Sequence, residues 1–283
     1  MYSELIYTRC AEGIDILKGR IPVRNSGFKV FSCSENVTNE GVVDIPFLYA
    51  TAQTKEPYSE PSFMDDAYLY YVPDIGEKFL LNFHPIPFNR EATGDYSHRP
   101  GNFINQVYIG SFTDFYPYET FGNEAVWNAQ ARGEAYYYEN VPVPLPERDD
   151  LGDTIGSICL DDVANFIADN RRDVLKKAIA FLIKQYTLQP EERKFLVIKD
   201  TDSYKIELWI AAIESAFSPL MASRLSFATR LDKFVNSNKY TVNLSGQYQT
   251  QINLQSPNQK LRLRAMIVGV DERDKINIST AKR

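Results

Sequence analysis

Residues 194–230, KFLVIKDTDSYKIELWIAAIESAFSPLMASRLSFATR, decide the fold of the second half of the chain. Residues 195–198 (FLVI) form a short apolar run of β-formers, enough for one buried strand. Thr201, Asp202 and Ser203 follow, and each can cap a helix by accepting an orphan backbone N–H. Trp209, Ile210, Ile213 and Phe217 stand 3, 4, 7 and 11 residues after Ile206. That spacing predicts one apolar stripe on an amphipathic helix, with Trp209 in the core and Lys205, Glu207 and Glu214 off the stripe. Pro219 is expected to stop the helix, because it lacks a donor and biases Ser218 towards extended geometry. Residues 225–228 read as a return strand. Strand, helix and strand make a βαβ-like unit, and its lack of phosphate-binding glycines makes it scaffold.

Outward from this unit, the chain divides near residues 141–156, VPVPLPERDDLGDTIG, whose prolines, acids and glycines describe an exposed connector. Of 18 tyrosines, 14 lie before residue 150, as do 12 of 15 prolines and 10 of 14 glycines, which makes the first half aromatic and turn-rich. The expected fold is therefore α+β: a β-rich aromatic N-terminal domain (1–145), a connector (146–157) and a smaller mixed α/β domain (158–283). In the first part, residues 3–8 read as an edge strand and FKVFSC (28–33) as an alternating strand. Residues 67–72 and 78–83 flank the turn signal PDIG and read as a hairpin. Residues 103–109 form another strand, 123–132 a short helix and 135–139 (AYYYE) a last strand. Beyond the connector, helices are expected from Asp161 and over 171–186, with Val174, Ala178, Phe181 and Leu182 inward. Residues 240–244, 247–254 and 261–270 read as strands, followed by a polar tail, DERDKINISTAKR.

Composition bounds the function. The 283 residues are 44% hydrophobic and 24% charged, the proportions of a soluble globular protein. A formal charge of −6 argues against general nucleic-acid binding, which calls for a basic face. Three widely spaced cysteines (Cys10, Cys33, Cys159) fit a reducing cytoplasm better than a disulfide framework. The start, MYSELIYTRC, lacks a basic segment leading into an apolar one, so no signal peptide is expected, and no apolar run reaches the length of a membrane span.

No GxxxxGK[ST] or GxGxxG loop is present, so no nucleotide is expected to bind directly. The only histidines, His84 and His98, come without CxxC or HExxH spacing, so no metal is expected. No cofactor and no catalytic set is assigned. The densest polar segment is DYSHRPGNFINQ (95–106), where Asp95, His98, Arg99, Asn102, Asn105 and Gln106 bring together an acid, an imidazole, a cation and amides. Such a group can bind a carboxylate, a phosphate or a peptide backbone. The simpler reading is that Arg99 and Asn102 pin a Pro-Gly turn. Tyr68, Tyr70, Tyr71 and Tyr136, Tyr137, Tyr138 could stack nucleobases or peptides, or serve as ordinary sheet packing.

Four segments in this order, LIYTRCAEGIDILKGR, SGFKVFSCS, HRPGNFINQVYIGSF and WIAAIESAFSPLMASRLSFATR, resemble the bacterial GTPase-associated protein 1 family. The first three resemble its N-terminal domain and the fourth its middle domain. The resemblance implies a non-enzymatic recognition or adaptor component, whose partner is a GTPase, in a bacterial conflict (defence) system. It also implies a further C-terminal region and brings no catalytic residues with it. Where the family pattern often has a histidine after the Arg-Pro-Gly-Asn turn, this chain reads Asn105-Gln106, which speaks against histidine-based catalysis. The contact residues expected on this reading are Arg99, Asn102, Gln106 and His98, with Tyr7, Arg9 and Gly13 as a second group. In that group Arg9 would pair an acidic group and Gly13 would supply a positive-φ turn. The alternatives are an enzyme using His98 with Asp95 or a cysteine, and a nucleic-acid or peptide sensor built on the aromatic half.

Overall fold

A computed structural model of the protein describes residues 1–37, 65–73, 76–86, 101–151, 156, 158–168, 170–189, 195–200, 202–230, 244–248, 265–270 and 276–280. The fold is α+β with a β-rich part. Two compact units interleave along the chain: Met1–Leu69, Gly76–Ser111 and Gly122–Thr154 form one, and Tyr70–Ile75, Phe112–Phe121 and Ile155–Arg283 form the other.

The first unit contains β1 (Ser3–Cys10), β2 (Gly13–Asp15), β3 (Ile21–Val23), β4 (Gly27–Cys33), residues 67–69 of β5 (Ala67–Tyr71), β6 (Lys78–Pro85), β7 (Phe103–Gly110) and helix α1 (Gly133–Glu139). The strand order is β5-β6-β7-β1-β4-β2-β3, with every pair from β6 to β3 antiparallel. β1 was expected at an edge, yet it lies between β7 and β4. Its near-continuous apolar core explains the place: Leu5 and Ile6 point to opposite faces and both are fully buried. The neighbouring strands 67–71 and 78–85 lie where the PDIG signal predicts.

Two element assignments are corrected. The tyrosine run at 135–139 is helical, because α1 inserts Tyr137 into a cluster with Ile6, Cys10, Phe31, Ile104, Ala129 and Leu145. Tertiary burial overrides the β preference of tyrosine. Residues 123–132 are mostly turns, with a 3-10 helix only at Gln130–Arg132. Here Asn123 Oδ1 accepts from the amides of Ala125 (3.0 Å) and Val126 (3.3 Å), offering the backbone an alternative to a helix. Residues 143–148, read as exposed connector, lie along the sheet: Leu145 N–H donates to Cys33 O (3.1 Å), and Tyr2 and Arg148 exchange backbone bonds. A proline-rich segment can do this because its remaining N–H groups suffice for isolated bridges.

The second unit begins with Tyr70, whose ring packs against Phe112 and Phe227. It then contains α2 (Leu160–Ala168), α3 (Arg172–Tyr186), β8 (Phe195–Asp200), α4 (Ser203–Glu214), α5 (Pro219–Ala222), β9 (Phe227–Ala228), β10 (Leu244–Tyr248), β11 (Ala265–Val270) and β12 (Ile276–Thr280). The strand order is β12-β11-β8-β10-β9. β10 runs parallel to both β8 and β9, so the strand–helix–strand unit is a parallel crossover with β10 between its strands. β12 pairs antiparallel to β11, a strand where a polar tail was expected. α3 buries Val174, Ala178 and Leu182, as its 3.6 period predicts, while Phe181, also expected inward, is half-buried.

Helix α4 starts as read, with Asp202 Oδ1 accepting from Lys205 N–H at 2.9 Å. It departs from the expectation of a single stripe. Every residue from Ile206 to Glu214 is buried, Glu207 and Glu214 included. Trp209 is 1% exposed and donates through Nε1 to Asp200 Oδ2 at 3.0 Å. The helix also ends before Pro219. Ala216 N–H turns back to Ile213 O, and Phe217 N–H to Glu214 O, tightening the last turn. Pro219 instead opens α5 at its first position, where a missing N–H costs nothing. Among the described residues, no helix is long and apolar enough to cross a membrane.

Candidate functional site

The antiparallel pairing of β1 with β7 sets Tyr7 opposite Asn105 and Thr8 opposite Ile104. Two sequence regions about a hundred residues apart, each holding expected contact residues, thereby become neighbours. Thr8 Oγ1 donates to Phe103 O at 2.7 Å and fixes the strands at this end. Tyr7, Phe28 and Phe103 stack, with Phe28 and Phe103 centroids 4.5 Å apart, and Phe83 continues the row at 5.2 Å from Phe103. The Arg9 guanidinium lies 5.8 Å from the Phe28 ring centre, a cation–π distance.

Arg9 and Asn102 reach α1. Arg9 Nε donates to Tyr138 Oη at 2.8 Å, Ser26 Oγ lies 3.4 Å from the same hydroxyl, and Asn102 Nδ2 donates to Glu134 Oε1. Glu134, in the first turn of α1, lies at the positive end of the helix dipole. Burial pushes its carboxyl above the ordinary value, against the Asn102 bond and the Arg9 charge, which pull it down. Arg9, Glu134 and Tyr138 are half-buried and Ser26 is exposed. The cluster thus offers a fixed cation, a hydroxyl and a carboxyl whose proton is retained to higher pH than in a free glutamate. It can hold a peptide group or a carboxylate through paired donors and acceptors. Glu134 and Ser26 were not among the expected site residues. Neither has a sequence signal; both enter through the helix that the tyrosine run disguised.

The other expected residues are placed differently. Gln106 is 2% exposed and its amide is consumed internally. Nε2 donates to Glu4 Oε1 (2.6 Å) and Val126 O (3.1 Å), and Oε1 accepts from Ala129 N–H (3.0 Å). Tyr108 Oη also donates to Val126 O (2.7 Å). Burial raises the Glu4 carboxyl, while the Arg148 guanidinium, 4.0 Å away, and the Gln106 bond lower it. This network ties residues 126–129 to the sheet. Gly13 does not supply a positive-φ turn. It opens β2, where a Cβ would lie 2.5 Å from Lys29 Cδ and Val30 O, so glycine is required by close approach. Asp95, His98 and Arg99 lie outside the described residues.

Tyr68, Tyr70, Tyr71 and Tyr137 are buried, so these rings pack inside the protein. Burial pushes the Cys10 thiol up to about 11 and raises Cys33 as well, which opposes thiolate formation. His84 Nδ1 meets Asp66 Oδ1 at 2.7 Å, and Asn82 Nδ2 donates to Asp66 Oδ2 at 2.9 Å. Among the described residues no three His, Cys, Asp or Glu side chains are placed to share a metal ion. Compared with known proteins, the chain matches no family model, no curated protein and no solved structure.

Proposed function

We propose that the protein is a non-enzymatic, cytoplasmic recognition or adaptor component that binds a GTPase within a bacterial conflict system. We infer that half-buried Arg9, Glu134 and Tyr138 are part of its contact surface, with Asn102, 3% exposed, holding Glu134 from beneath. The observation that carries the site is the convergence of the two expected contact groups: Arg9 from β1 and Asn102, just before β7, meet on α1 through Tyr138 and Glu134. The order of the four resembling segments supports the nature of the partner. A half-buried cation, hydroxyl and carboxyl suit a protein surface, where paired polar groups fix orientation.

Affinity purification of tagged protein from its own cells tests this reading, in parallel with an Arg9→Ala, Tyr138→Phe variant shown to be folded by its unfolding transition. Recovery of a GTPase by the natural chain and at least about tenfold less by the variant is expected, the size of a lost charge-assisted bond at an interface. Equal recovery by both would remove the cluster from the surface. No GTPase with either would remove the partner.

A further inference from the structure

The end of α4 holds a buried acid that the contact surface does not use. Glu214 is fully buried. Its Oε2 accepts from Tyr118 N–H at 3.0 Å, and its Oε1 has no hydrogen-bonding partner among the described residues. Tyr118 belongs to the 3-10 turn Pro117–Thr120, which packs on α4 within the second unit. Two further bonds join the same pieces: Ser215 Oγ donates to Tyr118 Oη (3.2 Å), and Tyr116 Oη donates to Phe217 O (2.8 Å). Phe121, just after the turn, sets its ring edge-on to Phe227 at 5.6 Å. The turn is thus fastened to one helix end by three bonds, of which only one involves an ionisable carboxyl.

We propose that Glu214 is a proton-controlled latch: protonated, it closes the Pro117–Thr120 turn onto the end of α4, and ionised, it releases that turn. A neutral carboxyl leaves one buried polar atom without a partner, a cost of about 1–3 kcal/mol. An ionised one buries an uncompensated charge, which costs far more. The carboxyl also lies at the negative end of the helix dipole, which opposes ionisation further. The Tyr118 N–H bond to Oε2 favours the ionised form and opposes burial; among the described charged groups on the turn and on the elements packed against α4, Glu119 acts on it, and its like charge favours the protonated form. Glu119 Oε2 is itself occupied by Tyr116 N–H at 3.0 Å. The phenols of Tyr118 and Tyr116 are the remaining titratable groups on the turn, and burial raises that of Tyr118. Burial, the first cause, holds the Glu214 carboxyl well above its ordinary value. Opening the turn exposes the carboxyl to water, where it ionises freely. Alkaline conditions therefore favour the open form, and acid the closed one.

Amide hydrogen exchange across pH, corrected for the intrinsic exchange rate, tests the latch in the intact chain. In the natural protein the protection of the Tyr118 amide is expected to fall about tenfold per pH unit between the ordinary carboxyl range and the raised one. In Glu214→Gln, whose side chain still accepts from that amide, protection should not change with pH. A flat profile in the natural protein, or the same slope in both, would overturn the proposal. Should the variant not fold, the carboxyl carbon resonance of Glu214 in the natural chain decides: a titration above the ordinary carboxyl range, with Tyr118 amide protection falling across the same range, supports the latch, and ordinary carboxylate titration or protection that does not follow it overturns it.

Discussion

Trp209 is one of the fully buried rings of the second unit. It is 1% exposed, meets Phe166 edge-on at 5.4 Å and donates to Asp200. Replacing it by alanine should cost roughly 3–5 kcal/mol in urea unfolding, from lost transfer free energy plus the cavity left behind. Partner recovery per folded molecule should stay unchanged. Gly13→Ala should destabilise by roughly 1–3 kcal/mol through overlap with Lys29 and Val30, measured the same way. Gln106→Leu should cost roughly 3 kcal/mol, since it leaves the Ala129 amide and the Glu4 carboxyl without their partner. Sequence marked Gln106 as a polar residue of interest and Trp209 as core. It could not show that Gln106 is buried, because alternation tells which residues share a face of β7 and not that both of its faces are covered.

At the scale of elements, legibility followed periodicity. α3, β4, β8 and the start of α4 declare themselves through spacing and a cap residue, signals that act within a few positions. α1 does not, because Tyr136, Tyr137 and Tyr138 prefer strands locally and become helical only when Tyr137 has Phe31 to pack on, 5.0 Å away. The acidic residues of α4 misled for the same reason: Glu214 looked like a solvent-facing position until the Pro117–Thr120 turn covered it. That burial has a thermodynamic consequence. The folded chain keeps the Glu214 proton to a higher pH than the unfolded chain does. Between the two values the unfolded state binds fewer protons, so stability falls as pH rises, then levels off once both states are ionised. Glu214→Gln should lack this fall. Its stability relative to the natural protein should therefore be greater at pH 8 than at pH 5 in parallel urea titrations.

For the whole molecule, composition predicted an α+β chain with a β-rich aromatic part, and the structure has that character. The compact units were less legible, since Phe112–Phe121 is grouped with Ile155–Arg283 although it is flanked by residues of the first unit. Nothing in the composition of that segment announces where it packs. The same holds for the contact cluster, which exists only because β1 and β7 pair across a hundred residues of chain. The most direct test of the cluster as a GTPase contact is photocrosslinking in cells from Glu139, exposed and adjacent to Tyr138, with exposed Ile183 in the second unit as control. A covalent adduct with a GTPase from Glu139 and none from Ile183 is the predicted result. An adduct from Ile183 alone, or none from Glu139, would contradict the account.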